Sequence, residues 1–151
     1  MKPIRFCRQE TRYTCGAACM RMAIECCGIK KSEKQVARLL STNKVSGTKN
    51  RSFPVVAEMF RLNHLSLKNA AIDDLRRYQQ QGYVIIVSYL YKPENVGHYA
   101  IMKKVTKKNI YFWDPYIGQN HKYPLPYFKK IWKSDPKFDN ERRWLFAAKK
   151  P

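Results

Sequence analysis

The stretch from Gln9 to Gly28, QETRYTCGAACMRMAIECCG, decides how the rest of the chain is read. Within it Ala18, Cys19, Met22, Ala23 and Cys26 recur at spacings of three and four, the period of a helix that buries one face. The periodic run extends from Gly16 to Cys27, and Gly28 is placed to stop it. Cys15 therefore stands where this first helix begins. A cysteine there feels the positive end of the helix dipole and unpaired backbone N–H groups, which favour the thiolate. Gly16, with no side chain, lets a substrate backbone approach the sulfur closely. Taken alone, Cys15 reads more readily as a buried, inert thiol, since cysteine is among the most buried residue types.

Downstream, Ser32 and Gln35 fit a capping box that opens a second helix with Val36, Leu39 and Leu40 on its apolar side, ending near Ser41. Residues Thr42 to Arg51, rich in Asn, Ser, Gly, Thr and Lys, read as a loop. Pro54 opens a third helix running to about Leu62, and a short strand follows at His64 to Leu67. Ile72, Leu75 and Tyr78 mark a fourth helix, stopped by Gly82. The texture then changes. Tyr83 to Leu90 is a β-branched and aromatic run suited to a central strand, and Tyr99 to Val105, Asn109 to Trp113 and Arg143 to Ala148 read as three more. This order predicts an α+β fold, N-terminal helices packed on a C-terminal antiparallel sheet, in a single domain over residues 1–151.

The same pattern brings two chemistry-bearing residues together. If Thr106 to Lys108 form the turn of a hairpin, His98 and Asp114 meet at its open end. A carboxylate beside an imidazole fixes its tautomer and supports the imidazolium, as the third member of a catalytic triad does. The competing reading is a surface histidine beside a turn-forming Asp-Pro pair. Gln9, six residues before Cys15, could donate its side-chain amide to an oxyanion together with the Cys15 N–H.

Composition narrows the alternatives. Apolar residues make up 44% of the chain, enough to build a core despite the high charge. The formal net charge of +19 attracts anionic partners in general, and an acidic peptide substrate would suit it. The basic residues come as scattered pairs and follow no recognisable nucleic-acid motif, so nucleic acid is the less favoured partner. Five cysteines, four of them crowded between Cys15 and Cys27, argue against a disulfide framework and for a reducing compartment. No CxxC is present and the three histidines are dispersed, so neither a metal nor another cofactor is expected. The opening MKPIRFCRQE lacks the apolar core of a secretory signal, and the longest apolar run, Tyr83 to Tyr91, is too short to cross a bilayer; a cytoplasmic location is expected.

Taken together, QETRYTCGAACMRMAIECCG, GHYAIM at Gly97 to Met102 and FWDP at Phe112 to Pro115 resemble the bacteriocin-processing, double-glycine leader peptidases. These are papain-like cysteine peptidases found at the N-terminus of peptide-exporting ABC transporters and as stand-alone proteins. The resemblance spans nearly the whole chain. It implies Cys15 as nucleophile, His98 as general base and acid, Asp114 as its orienter and Gln9 as oxyanion donor, with Gly16 and Gly97 beside the substrate. It further implies a peptide substrate cut after a small residue such as Gly, and association with an exporter or secretion system. Many transporter-borne members have Asp immediately before the nucleophile, where this chain has Thr14. A papain-like effector protease, a transpeptidase, and a basic nucleic-acid-binding module without catalysis are the other readings.

Overall fold

A computed structural model describes residues 1–151. The chain runs α1 (Cys15–Cys26), α2 (Glu33–Leu39), α3 (Ser52–Met59), β1 (Asn63–Leu67), α4 (Ile72–Gln80), β2 (Val84–Tyr91), β3 (Val96–Val105), β4 (Asn109–Asp114), β5 (Gly118–Pro124), α5 (Leu125–Ile131) and β6 (Leu145–Lys149). The six strands form one antiparallel sheet in the order β1-β6-β2-β3-β4-β5. This is the α+β layout the sequence predicts, with two elements that it did not predict, β5 and α5.

Each helix end follows from local chemistry. The capping box of α2 is complete: Gln35 N–H donates to Ser32 Oγ (3.1 Å) and Ser32 N–H to Gln35 Oε1 (2.9 Å). α1 ends where Gly28 turns left-handed at φ 88°, a conformation that costs other residues about 1–2 kcal/mol. α3 starts at Ser52, so Pro54 lies within its first turn, where a missing N–H costs no helical bond.

Alternation along the strands divides the molecule into two cores. On one face, Tyr99, Ile101, Ile86 and Phe146 pack with Ala17, Met20 and Ile24 of α1 and with Phe53 and Val56 of α3. Phe53 is the centre of an aromatic cluster, with ring centroids 4.9 Å from Tyr99 and 5.4 Å from Trp144. On the other face, Ala100, Met102 and Phe112 pack with Leu75 of α4 and Phe128 of α5. Helices therefore cover both faces of the sheet.

The β3–β4 hairpin closes where expected, with Thr106 N–H donating to the Asn109 carbonyl (2.9 Å). Ile101 lies across from Trp113 and Met102 from Phe112; a bulge then shifts the pairing so that Lys104 faces Tyr111. In that register His98 is the diagonal rather than the direct neighbour of Asp114 on the same face, still within reach of a long side chain.

Candidate active site

α1 and the open end of the β3–β4 hairpin converge on three side chains. Cys15 is the first residue of α1, half-buried, and no side chain caps the N-terminus in front of it. The first-turn N–H groups beside the sulfur are therefore not claimed by a capping side chain. Beneath it, His98 is 5% exposed and Asp114 wholly buried, with His98 Nε2 2.7 Å from Asp114 Oδ1. With Nε2 so held, Nδ1 is the ring nitrogen left for the Cys15 sulfur, whose side chain interacts with the imidazole.

Charge at this site is decided by competition. Burial alone would push the His98 pKa down, but the neighbouring Cys15 side chain and the Asp114 hydrogen bond outweigh it and raise it to about 10. Burial likewise acts against the Asp114 carboxylate, and the hydrogen bonds it accepts win, holding its pKa below the ordinary value. Asp114 Oδ1 also accepts from the backbone N–H groups of Tyr116 and Ile117 (3.0 Å each), while Oδ2 accepts from the Tyr89 hydroxyl (2.6 Å). Tyr89 lies directly across from His98 on β2. Its ring, with those of Tyr91 and Tyr116, encloses the imidazole, centroids 5.3, 6.3 and 5.9 Å away.

Gln9 is tied to the same end of the hairpin through its backbone N–H, which donates to the Pro115 carbonyl (3.0 Å). Its Nε2 donates to the Thr11 carbonyl (2.8 Å), leaving one amide hydrogen free, and its Oε1 is buried without a partner. The turn between Gln9 and Cys15 is held by a residue that sequence reasoning passed over. Glu33, at the start of α2, is buried, and its Oε2 accepts from Glu10 N–H (2.8 Å) and Thr14 Oγ1 (3.2 Å). A carboxylate thus stands beside Thr14, reaching in from another helix.

Cys15 and Gly97 line one cleft of about 310 Å³, whose walls are the loop Lys44–Thr48 and the segment bearing Asp135, Phe138 and Asp139. Gly16 and Gly97 sit where these walls come down. A Cβ on Gly16 would meet Thr48 Oγ1 at 2.7 Å, and one on Gly97 would meet Asp135 Cβ at 3.0 Å. Burial pushes the pKa of Cys7, Cys19, Cys26 and Cys27 up, Cys26 to about 11. No group of three or more His, Cys, Asp or Glu side chains is arranged to hold a metal ion, and no helix is long and apolar enough to cross a membrane. Among the missed residues, Tyr89 and Glu33 carried no motif; the signal for Tyr89 was its place on the strand that pairs with His98.

Comparison with known proteins agrees with this architecture. Residues 1–137 match the model of a family described as Peptidase_C39 like. No curated protein matches the sequence. Among solved structures, the peptidase domain of Streptococcus ComA, a bifunctional ABC transporter of a quorum-sensing pathway, is similar with TM-score 0.76 and 17% identity, covering 99% of this chain and 100% of that one. A C39-like peptidase from Bacillus anthracis, described as putative, gives TM-score 0.75 at 13% identity, covering 98% and 95%. A double-glycine-motif protease from an AMS/PCAT transporter, in complex with its leader peptide, gives 0.69 at 17%, covering 97% and 93%.

Proposed function

Since the chain belongs to the Peptidase_C39-like family, we propose that it hydrolyses peptide bonds as a cysteine peptidase with Cys15 as nucleophile, His98 as general base and acid, and Asp114 as orienter. The observation that carries this reading is the buried imidazole held between Asp114 at 2.7 Å and Cys15 at the uncapped start of α1. His98 Nδ1 holds the proton given up by Cys15, and the thiolate so formed attacks the scissile carbonyl. The oxyanion is held by the Cys15 N–H and by the free hydrogen of Gln9 Nε2, each such donor worth about 3 kcal/mol. On collapse the imidazolium protonates the leaving amine, and water, deprotonated by the same nitrogen, releases the acyl group as a free acid.

The substrate is a peptide with a small residue such as Gly before the cut, as in a double-glycine leader. Two things support this: the resemblance in Gln9–Gly28, GHYAIM and FWDP, and the closeness of the Thr48 and Asp135 walls to Gly16 and Gly97, the chain neighbours of Cys15 and His98. The net charge of +19 favours an acidic peptide at long range, whereas the cleft itself is mixed, with Arg12 and Lys44 against Glu94, Asp135 and Asp139. Two of the structural neighbours are transporter peptidase domains, which makes a peptide exporter the fitting partner and the cytoplasmic side the fitting place, where a thiol stays reduced.

A mass-spectrometric cleavage screen of a peptide library tests the reading. Wild type is expected to cut a subset of peptides, Cys15→Ala none, and iodoacetamide is expected to label Cys15 ahead of the other four thiols. Cleavage persisting in Cys15→Ala, or equal labelling of all five thiols in the native protein, overturns it.

A further inference from the structure

The two walls of the cleft belong to neither the helices nor the sheet, yet a single buried side chain joins them. Asn50, 1% exposed, lies at the foot of the Lys44–Thr48 wall. Its Nδ2 donates to Ser134 Oγ (2.9 Å) and Glu141 Oε1 (3.0 Å), and its backbone N–H reaches both carboxylate oxygens of Asp139 (3.3 Å each). All three partners belong to the opposite wall segment. Its Oδ1 accepts from the Tyr99 hydroxyl (2.6 Å), which also lies 2.8 Å from the Thr48 carbonyl. Tyr99 is the residue after His98 on β3. Both amide hydrogens are thus used and the amide oxygen has a partner, and the orientation is fixed, because Glu141 requires a donor and Tyr99 provides one.

We infer that Asn50 is a specificity-determining positioning residue: it clasps the two irregular walls to each other and to β3, and so sets the width of the groove that takes the peptide on either side of the cut. This rests on the peptidase reading. Gly16 and Gly97 complete the device, because each is bare where a wall must settle, Thr48 against α1 and Asp135 against β3. The nucleophile and base are held independently, by α1 and by the Asp114 and Tyr89 hydrogen bonds. Loosening the clasp therefore acts on binding of an extended peptide and leaves the chemistry in place. The absence of regular structure in both walls makes such a clasp necessary, since neither has a ladder of backbone hydrogen bonds to fix its distance from the other.

Asn50→Ala tests this, with Ser134→Ala as the milder variant in case the first does not fold. The clasp predicts that KM for a cleaved peptide of eight or more residues rises by about tenfold or more while kcat stays within about twofold. The rate at which iodoacetamide labels Cys15 should not change. Hydrogen exchange should quicken in residues 44–48 and 135–139 together, and not in α1. An unchanged KM, a fall in kcat and labelling at constant KM, or faster exchange in only one wall overturns the inference. If wild type cleaves no peptide, the peptidase reading has failed by itself, and joint or separate exchange of the two walls still decides whether Asn50 clasps them.

Discussion

At the scale of single residues, the site turns on how His98 keeps its proton in a buried position. Desolvation works against the imidazolium, and the largest influence restoring it is the neighbouring Cys15 side chain. Removing that sulfur therefore lowers the His98 pKa, and the direction can be followed in the ring proton resonances: a midpoint near about 10 in wild type and a lower one in Cys15→Ala. Stability follows with a definite sign. His98 is raised from 6.5, so its contribution is fully present below about 6.5, ebbs as the pH climbs, and is gone beyond about 10. Asp114 is lowered from 3.8, so its contribution is present above that value and lost as the pH falls through its depressed pKa. The melting temperature should hold a plateau between the two and decline on the alkaline side from about 6.5 in both proteins, with a smaller decline that ends at lower pH in Cys15→Ala. Identical midpoints in the two proteins would remove Cys15 from the pair. The place of Cys15 at a helix start and the nearness of His98 to Asp114 could be read from the sequence, because one is fixed by helical periodicity and the other by the arithmetic of a hairpin. Tyr89, Glu33 and Asn50 could not, because each acts across 19 to 91 residues of chain, through packing that no local pattern encodes.

At the scale of elements, α2 has a task beyond filling the core. Its capping box fixes Ser32 and Gln35, and so places Glu33 where its carboxylate enters the turn between Gln9 and Cys15. Burial pushes the Glu33 pKa up, and its Oε1 has no partner, so this carboxylate is already under strain from desolvation. Restoring the Asp that many transporter-borne relatives have before the nucleophile would set a second carboxylate against it. Thr14→Asp should accordingly lower stability, and the loss should shrink in a Glu33→Gln background, with a coupling of about 0.5–3 kcal/mol in a double-mutant cycle read by urea unfolding. Additive effects would mean that Glu33 does not sense position 14. The elements missed in the sequence, β5 and α5, have a common cause. β5 (GQNHKYP) is an edge strand carrying exposed Gln119, Asn120 and Lys122, so it lacks the apolar alternation that marked β2. α5 is seven residues long, with Leu125, Phe128 and Ile131 buried on one side; two prolines at its start masked that short period.

At the scale of the whole molecule, thirty lysines and arginines face eleven acidic residues, and two of those acids, Glu33 and Asp114, are buried where they cannot neutralise the surface. Four arginine–carboxylate ion pairs form, each with at least one solvent-exposed partner, so they relieve little of the repulsion. Three further acids, Glu94, Asp135 and Asp139, line the cleft. The outer surface is therefore strongly positive, while the groove at Cys15 is close to balanced. Salt should then act in two opposite ways on the same protein. By screening self-repulsion beyond a Debye length of about 10 Å at 0.1 M, it should raise the melting temperature. By screening the approach of an acidic peptide it should lower kcat/KM, leaving kcat and the turnover of a neutral peptide with the same cut site nearly unchanged. Stopped-flow and thermal-melt series across the same salt range read both. If kcat/KM for the acidic peptide stays flat while the melting temperature rises, the charge serves the surface alone, and the substrate is chosen within the cleft.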